Sequence, residues 1–171
     1  MTNCNITNNR YMRSQERMEL LAEMEKQFDN HNASYFKNLL HHHDNVIRTR
    51  SVCVLADLDS EDAVEPIGQV LVNDTDALVR HEAAFSLGQL GFTSAVNTLS
   101  KAIESDPSFF VRHEAAVALG VIGSEKARAI LNEALNDESE EVSKSAIIAL
   151  ANLDYVSTMK RNNEFTRMTG G

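Results

Sequence analysis

The sequence predicts an all-α protein, a helical-repeat solenoid of about four helix pairs with an N-terminal capping helix. Three observations carry this. One pattern recurs four times along the chain at near-constant spacing. Each copy has the apolar periodicity of a helix. Gly or Asp-Pro stands where helices must stop.

The copies are IRTRSVCVLADLD from Ile47, VRHEAAFSLGQLG from Val79, VRHEAAVALGVIG from Val111 and VSKSAIIALANLD from Val142. Their starts lie 32, 32 and 31 residues apart. A constant period in this range marks two-helix units that bury their apolar faces on their neighbours. Ile47, Val79, Val111 and Val142 are the register residues of the four copies.

The elements follow in chain order. Ser14 to Phe28 reads as an amphipathic helix with Met18, Leu21, Met24 and Phe28 on one apolar face. Tyr35 to Leu40 begins the first helix pair. In the second copy Asp76 caps a helix that runs to about Leu90, and Gly91 stops it. Thr93 or Ser94 then opens AVNTLSKAIES, which Asp106-Pro107 breaks. The third copy repeats the plan with Ser108, Gly123, Ser124 and Asp137. Val79, Ala83, Leu87 and Leu90 form one buried stripe, and Ala83, Ala84, Ala115 and Ala116 allow close helix approach. Phe109 and Phe110 precede the third register residue, one expected between repeats and the other exposed near the polar face. The acidic run Asp137 to Glu141 suits the N-terminus of the last repeat helix, near Val142. The expected organisation is 1–43 as tail, capping helix and start of the first repeat, 44–155 as repeats, and 156–171 as a flexible tail. The N-terminal helix and the fourth repeat close the ends of the stack.

Composition narrows the function classes. The chain has 171 residues and a net charge of −9, which excludes nucleic acid as the main partner, since phosphate contacts need clustered Lys and Arg. No apolar run approaches the ~18 residues of a membrane span. The polar N-terminus has no secretory core, and two cysteines form no disulfide framework, so a reducing cytoplasm is expected. Cys53 reads as a small packed hydrophobe. His41-His42-His43-Asp44 reads as a solvated loop at a helix end.

Two identical dipeptides stand apart from the packing frame. His81-Glu82 and His113-Glu114 occupy the same register in neighbouring copies. His81 lies two residues after Val79, about 200° around the helix, and so faces away from the core, with Glu82 beside it. Gly88 and Gly120, two turns further along, are expected to leave that face open. Stacked helices sit about 8–10 Å apart, so equivalent histidines can converge on one atom. Paired imidazoles and carboxylates suit a first-row transition metal, and two His with one carboxylate is the pattern of non-haem Fe(II) oxygenases. No thiolate is expected nearby, which argues against a closed structural zinc site. One chain supplies two His and two Glu, enough for one iron or half of a two-metal site. The competing account is bland: exposed helix positions often carry His or Glu, and a duplication copies a meaningless pair as readily as a useful one.

The repeat frame resembles HEAT repeats, and Ile47 to Tyr155 resembles one half of deoxyhypusine hydroxylases, di-iron HEAT-repeat enzymes. The likeness rests on RHEAAFSLGQLG and RHEAAVALGVIG, on Arg48-Thr49-Arg50-Ser51 where the family's first repeat lacks His-Glu, and on Lys144-Ser145 in the fourth. It implies that His81, Glu82, His113 and Glu114 are metal ligands, that two irons act with O2 as co-substrate, and that a side chain such as deoxyhypusine is hydroxylated. The family has two halves and four His-Glu pairs, whereas this chain has two pairs. The resemblance therefore implies a homodimer whose concave faces meet, giving two irons per dimer. The alternative function is a HEAT-repeat interaction scaffold, or a bilin-lyase-like binding module, without catalysis.

Overall fold

The computed structural model describes residues 3–58 and 60–161. Among the described residues there are nine α-helices and no strand. They are α1 (Asn3–Asp29), α2 (Ala33–Leu39), α3 (Asn45–Asp57), α4 (Val64–Asn73), α5 (Ala77–Leu90), α6 (Val96–Ser105), α7 (Phe109–Ile122), α8 (Arg128–Ala134) and α9 (Glu140–Arg161). The helices pair as α2/α3, α4/α5, α6/α7 and α8/α9. The second members, α3, α5, α7 and α9, stack on one another in an inner row, and α4, α6 and α8 stack in an outer row. This is the solenoid of four helix pairs that the period predicts.

Local chemistry sets the helix ends. Asp44 and Asp76 each accept a hydrogen bond from the backbone N–H two residues on, at 2.9 Å, and so satisfy a donor that the first turn leaves open. Gly91 and Gly123 end α5 and α7 with φ of 69° and 64°, where an L side chain is strained. A single 3-10 turn, Thr93–Ala95, leads into α6 and takes up only the first residue of AVNTLSKAIES. Ser94 does not cap it; its hydroxyl donates to Glu61 Oε1 at 2.9 Å.

The register residues Ile47, Val79, Val111 and Val142 are fully buried, as are Ala83 and Leu87 of the predicted stripe. One residue after the register, Arg48, Arg80 and Arg112 each fork onto an aspartate: Asp74 at 2.6 and 2.9 Å, Asp106 at 2.7 and 3.0 Å, Asp137 at 2.8 and 2.9 Å. Arg80 also donates to the Asp74 carbonyl and Arg112 to the Asp106 carbonyl. Each guanidinium thereby ties two consecutive outer-row ends to the inner row through bidentate, nearly buried bonds. The Arg112 guanidinium holds the Asp137 carboxyl below its ordinary range, against the opposing effect of burial.

Some expectations need correction. In α1 only Met24 of the predicted stripe is buried; Met18 and Phe28 stay exposed and, with Val46 and Val54, line a cleft of about 760 Å³ between α1 and α3. The capping helix touches only one end of the stack, so half of its stripe has no repeat to cover it. Phe109 and Phe110 are both more than a third exposed, so neither is enclosed between repeats. Helix α9 continues to Arg161, so the first residues of the tail expected to be flexible, 156–171, are helical; its remainder, 162–171, lies outside the described residues. His41 and His43 are exposed, and His42 Nδ1 accepts from the Asp44 N–H at 3.1 Å, as befits a solvated turn.

Candidate metal centre

The four candidate ligands sit in the second turn of α5 and of α7, along one flank of the inner row. The frame that places them is apolar: Val79 and Ala83 fix the rotation of α5, and Val111 and Ala115 that of α7. His81, Glu82 and His113 are half-buried, and Glu114 is buried. The flank is thus less open than a 200° rotation from Val79 suggests. In a stack each inner helix is covered on two sides by its neighbours, so a residue opposite the core lies against the next repeat.

The side chains meet by a rule that the linear pattern hides. The second position after a register residue meets the third position of the following repeat. His81 Nε2 lies 3.3 Å from Glu114 Oε2. His113 Nδ1 lies 2.8 Å from Ser145 Oγ. Equivalent histidines do not pair directly, because the leading flank of one helix faces the trailing flank of the next, about 100° around. Glu82 breaks the rule and accepts instead from Cys53 Sγ at 3.1 Å.

Cys53 corrects one expectation: it is half-buried and polar in its contact rather than a packed hydrophobe, and it brings a thiol to the edge of the site. Burial, with the Glu82 carboxylate adding to it, pushes its pKa up to about 12, so it stands as a thiol donor rather than a thiolate. Gly88 and Gly120 are corrected as well. They are buried, and a Cβ at either would fall 2.9 Å from Ala118 Cβ or 2.8 Å from Ala149 Cβ. Their role is close helix crossing, not an open surface.

Sequence reasoning missed Ser145 and Cys53 as partners, and placed one of Phe109 and Phe110 near this face without saying which. The Phe110 ring stacks on the His81 imidazole at 3.9 Å and 9°, covering one face of it. Ser145 occupies the register column of Glu82 and Glu114, a signal visible once the copies are aligned. Cys53 carried no such signal. Exposed apolar residues flank the centre: Leu78 and Phe110 lie just before their register residues, and Phe85, Val117 and Ile148 six positions after theirs.

The donor chemistry fits a divalent transition metal. Two ligands about 2.1 Å from an ion and at right angles to it stand about 3.0 Å apart, close to the His81–Glu114 separation. Among the described residues, however, no three His, Cys, Asp or Glu side chains gather at one point within the chain. A single chain presents a His–Glu pair with further donors on either side.

An all-helical, two-helix repeat stack of this kind defines a class of solenoid proteins. Residues 64–151, just over half of the chain, match the HEAT repeat family, and the chain belongs to it. The structure is similar to human deoxyhypusine hydroxylase in complex with glycerol, with a TM-score of 0.69 and 26% identity over 85% of this chain. The chain spans 49% of that hydroxylase chain, about half its length. It is also similar in fold to the complex of CpcE and CpcF of phycocyanin lyase from Nostoc sp. PCC7120, with a TM-score of 0.63 and 21% identity over 80% of this chain and 59% of that one. An engineered protein matches with a TM-score of 0.55 and 25% identity, covering 71% of this chain and 62% of that one. No curated protein matches the chain. Among the described residues no helix is long and apolar enough to cross a membrane.

Proposed function

We propose that this chain is a non-haem di-iron oxygenase of the hydroxylase type, acting in the cytoplasm with its active site formed between two copies. The observation that carries the reading is the His81–Glu114 contact at 3.3 Å, an imidazole and a carboxylate from successive repeats held as adjacent ligands would be. His81, Glu82, His113 and Glu114 would hold the metal, two irons per dimer. Iron so held supplies activation of O2 for hydroxylation of a substrate C–H bond.

The chain's own residues do the rest. Phe110 lies flat on His81 and restricts water at that face. The Cys53 thiol donates to Glu82 and fixes one carboxylate oxygen. The single-chain donor set is too sparse for two ions, and a second copy facing it doubles the set. Leu78, Phe85, Val117 and Ile148 surround the ligands with exposed apolar surface that such a contact would remove from water. The similarity to human deoxyhypusine hydroxylase makes a protein-borne deoxyhypusine the first substrate to try.

A second reading, a HEAT-repeat scaffold without catalysis, rests on the same apolar face, which a partner protein would cover equally well, and on the fold shared with the CpcE–CpcF complex. One experiment separates the two. Untagged protein made with iron in the medium is passed through size exclusion with light scattering, and the peak is analysed for metal. The oxygenase reading expects a dimer with about two irons, and loss of that iron in the His81→Ala/His113→Ala double variant. A metal-free monomer, or iron unaffected by the two substitutions, gives the scaffold reading instead.

A further inference from the structure

We infer that Ser145 is a positioning residue that locks His113 in the Nδ1–H tautomer and so reserves Nε2 for a metal ion; this rests on the metal-centre reading above. The inference comes from counting protons. Ser145 is buried in α9, and its hydroxyl has one hydrogen to give. The Glu141 carbonyl, 2.9 Å away and one turn back in the same helix, can only accept, and we assign the hydrogen to it. Towards His113 Nδ1, 2.8 Å away, Ser145 Oγ can then only accept. With the hydroxyl so assigned, Nδ1 carries the proton and the lone pair of the neutral ring is confined to Nε2.

This makes the two histidines different. His81 presents Nε2 to the Glu114 carboxylate, the contact of an Nε2–H donor when no metal is bound. His113 needs no such exchange, because Ser145 has already set its protonation pattern. Ser145 stands in the register column that holds Glu82 and Glu114 in the two preceding repeats. A third carboxylate there would accept the same Nδ1–H, but it would add negative charge beside the ligand set. A hydroxyl donating backward along its own helix performs the orienting task without a charge. Metal-bound histidines generally donate their other ring N–H to an acceptor of this kind, and losing that acceptor typically weakens metal binding 10–100-fold.

The first test needs no metal. The ring nitrogens of 15N-histidine-labelled, metal-free protein are read by long-range 1H–15N correlation at about pH 8.5, roughly two units above the ordinary imidazole value. The expected result is a protonated Nδ1 and an unprotonated Nε2 at His113, with His113→Gln supplying the assignment. A protonated Nε2 in the wild type overturns the inference outright. In Ser145→Ala the ring is expected to shift towards Nε2–H, and in Ser145→Thr, which keeps the hydroxyl, to retain Nδ1–H. The second test titrates wild type and both variants with Co(II). The affinity of Ser145→Ala is expected to fall about 10–100-fold and that of Ser145→Thr to stay near the wild type. An unchanged Co(II) affinity in Ser145→Ala overturns the positioning role. If the wild type shows the Nδ1–H tautomer but takes up no metal, the metal-centre reading fails and takes the positioning role with it, while the tautomer assignment stands.

Discussion

At the scale of single residues, the repeats make the chain its own control. Ser86 lies seven positions after Val79, and the equivalent residues of the next two copies are Ala118 and Ala149. The Ser86 hydroxyl is fully buried and has no hydrogen-bond partner. A buried polar group left unpaired costs about 1–3 kcal/mol, and alanine at this register already packs in the same stack. Ser86→Ala is therefore expected to raise stability by about 1 kcal/mol, seen as a higher urea midpoint with an unchanged slope. A fall in the midpoint would mean that the hydroxyl has a partner in solution.

The residue scale is also where the sequence was least legible. The positions of His81, Glu82, His113 and Glu114 on one flank followed from helical rotation alone. Their partners did not, because which residue meets which depends on the flanks that stacked helices turn to each other. Hence Glu114, Ser145 and Cys53 emerged as the contacts of His81, His113 and Glu82 only in three dimensions. Arg80 and Arg112 stand inside the repeated frame, yet Asp106 and Asp137, their forked partners, lie 26 and 25 residues downstream and look like ordinary helix-end acids in the sequence.

At the scale of helices, glycine shows how packing overrides propensity. Gly68 in α4 and Gly88 in α5 are both buried in helix interiors, where alanine is intrinsically better by about 0.5–1 kcal/mol. Their surroundings differ. A Cβ on Gly68 would meet Thr98 Cγ2 at 3.4 Å, an ordinary contact with a side chain. A Cβ on Gly88 would stand 2.9 Å from Ala118 Cβ and 3.0 Å from Ala118 Cα, so the neighbouring backbone would have to move. Overpacking of that kind costs about 1–3 kcal/mol and outweighs the propensity gain. Gly68→Ala is expected to stabilise the protein slightly and Gly88→Ala to destabilise it by about 1–2 kcal/mol, by thermal or urea unfolding. Gly120→Ala should follow Gly88→Ala, since Ala149 crowds it in the same way. Equal effects at Gly68 and Gly88 would sink this account. The helices themselves were legible because their caps and stops are local: Asp76, Gly91 and Asp106 act within a turn of their own positions. The burial of α1 was not legible in the same way, since Met18 and Phe28 depend on whether a neighbour covers them.

At the scale of the whole molecule, the repeat period announces a stack but not what its inner row faces. A solenoid unit buries its apolar surface on the units before and after it, so the remaining exposed apolar residues are those that neither neighbour reaches. Phe85, Val117 and Ile148 hold the same register in three successive inner helices and are all exposed. They form a row beside the candidate ligands, and charged residues do not interrupt it at that register. If two copies meet here to complete a four-His, four-Glu centre, a charge placed in the row must separate them without disturbing the stack behind it. Ile148 is the best place, being 70% exposed and remote from the His81–Glu114 contact. Ile148→Glu is expected to convert a dimer to a monomer in light scattering, with unchanged helical circular dichroism, and to lose iron together with the dimer. The monomer should retain its thermal transition, because the substituted side chain contributes little to its own fold. Iron retained at full stoichiometry in a monomeric Ile148→Glu protein would place the centre within a single chain and remove the need for a second copy.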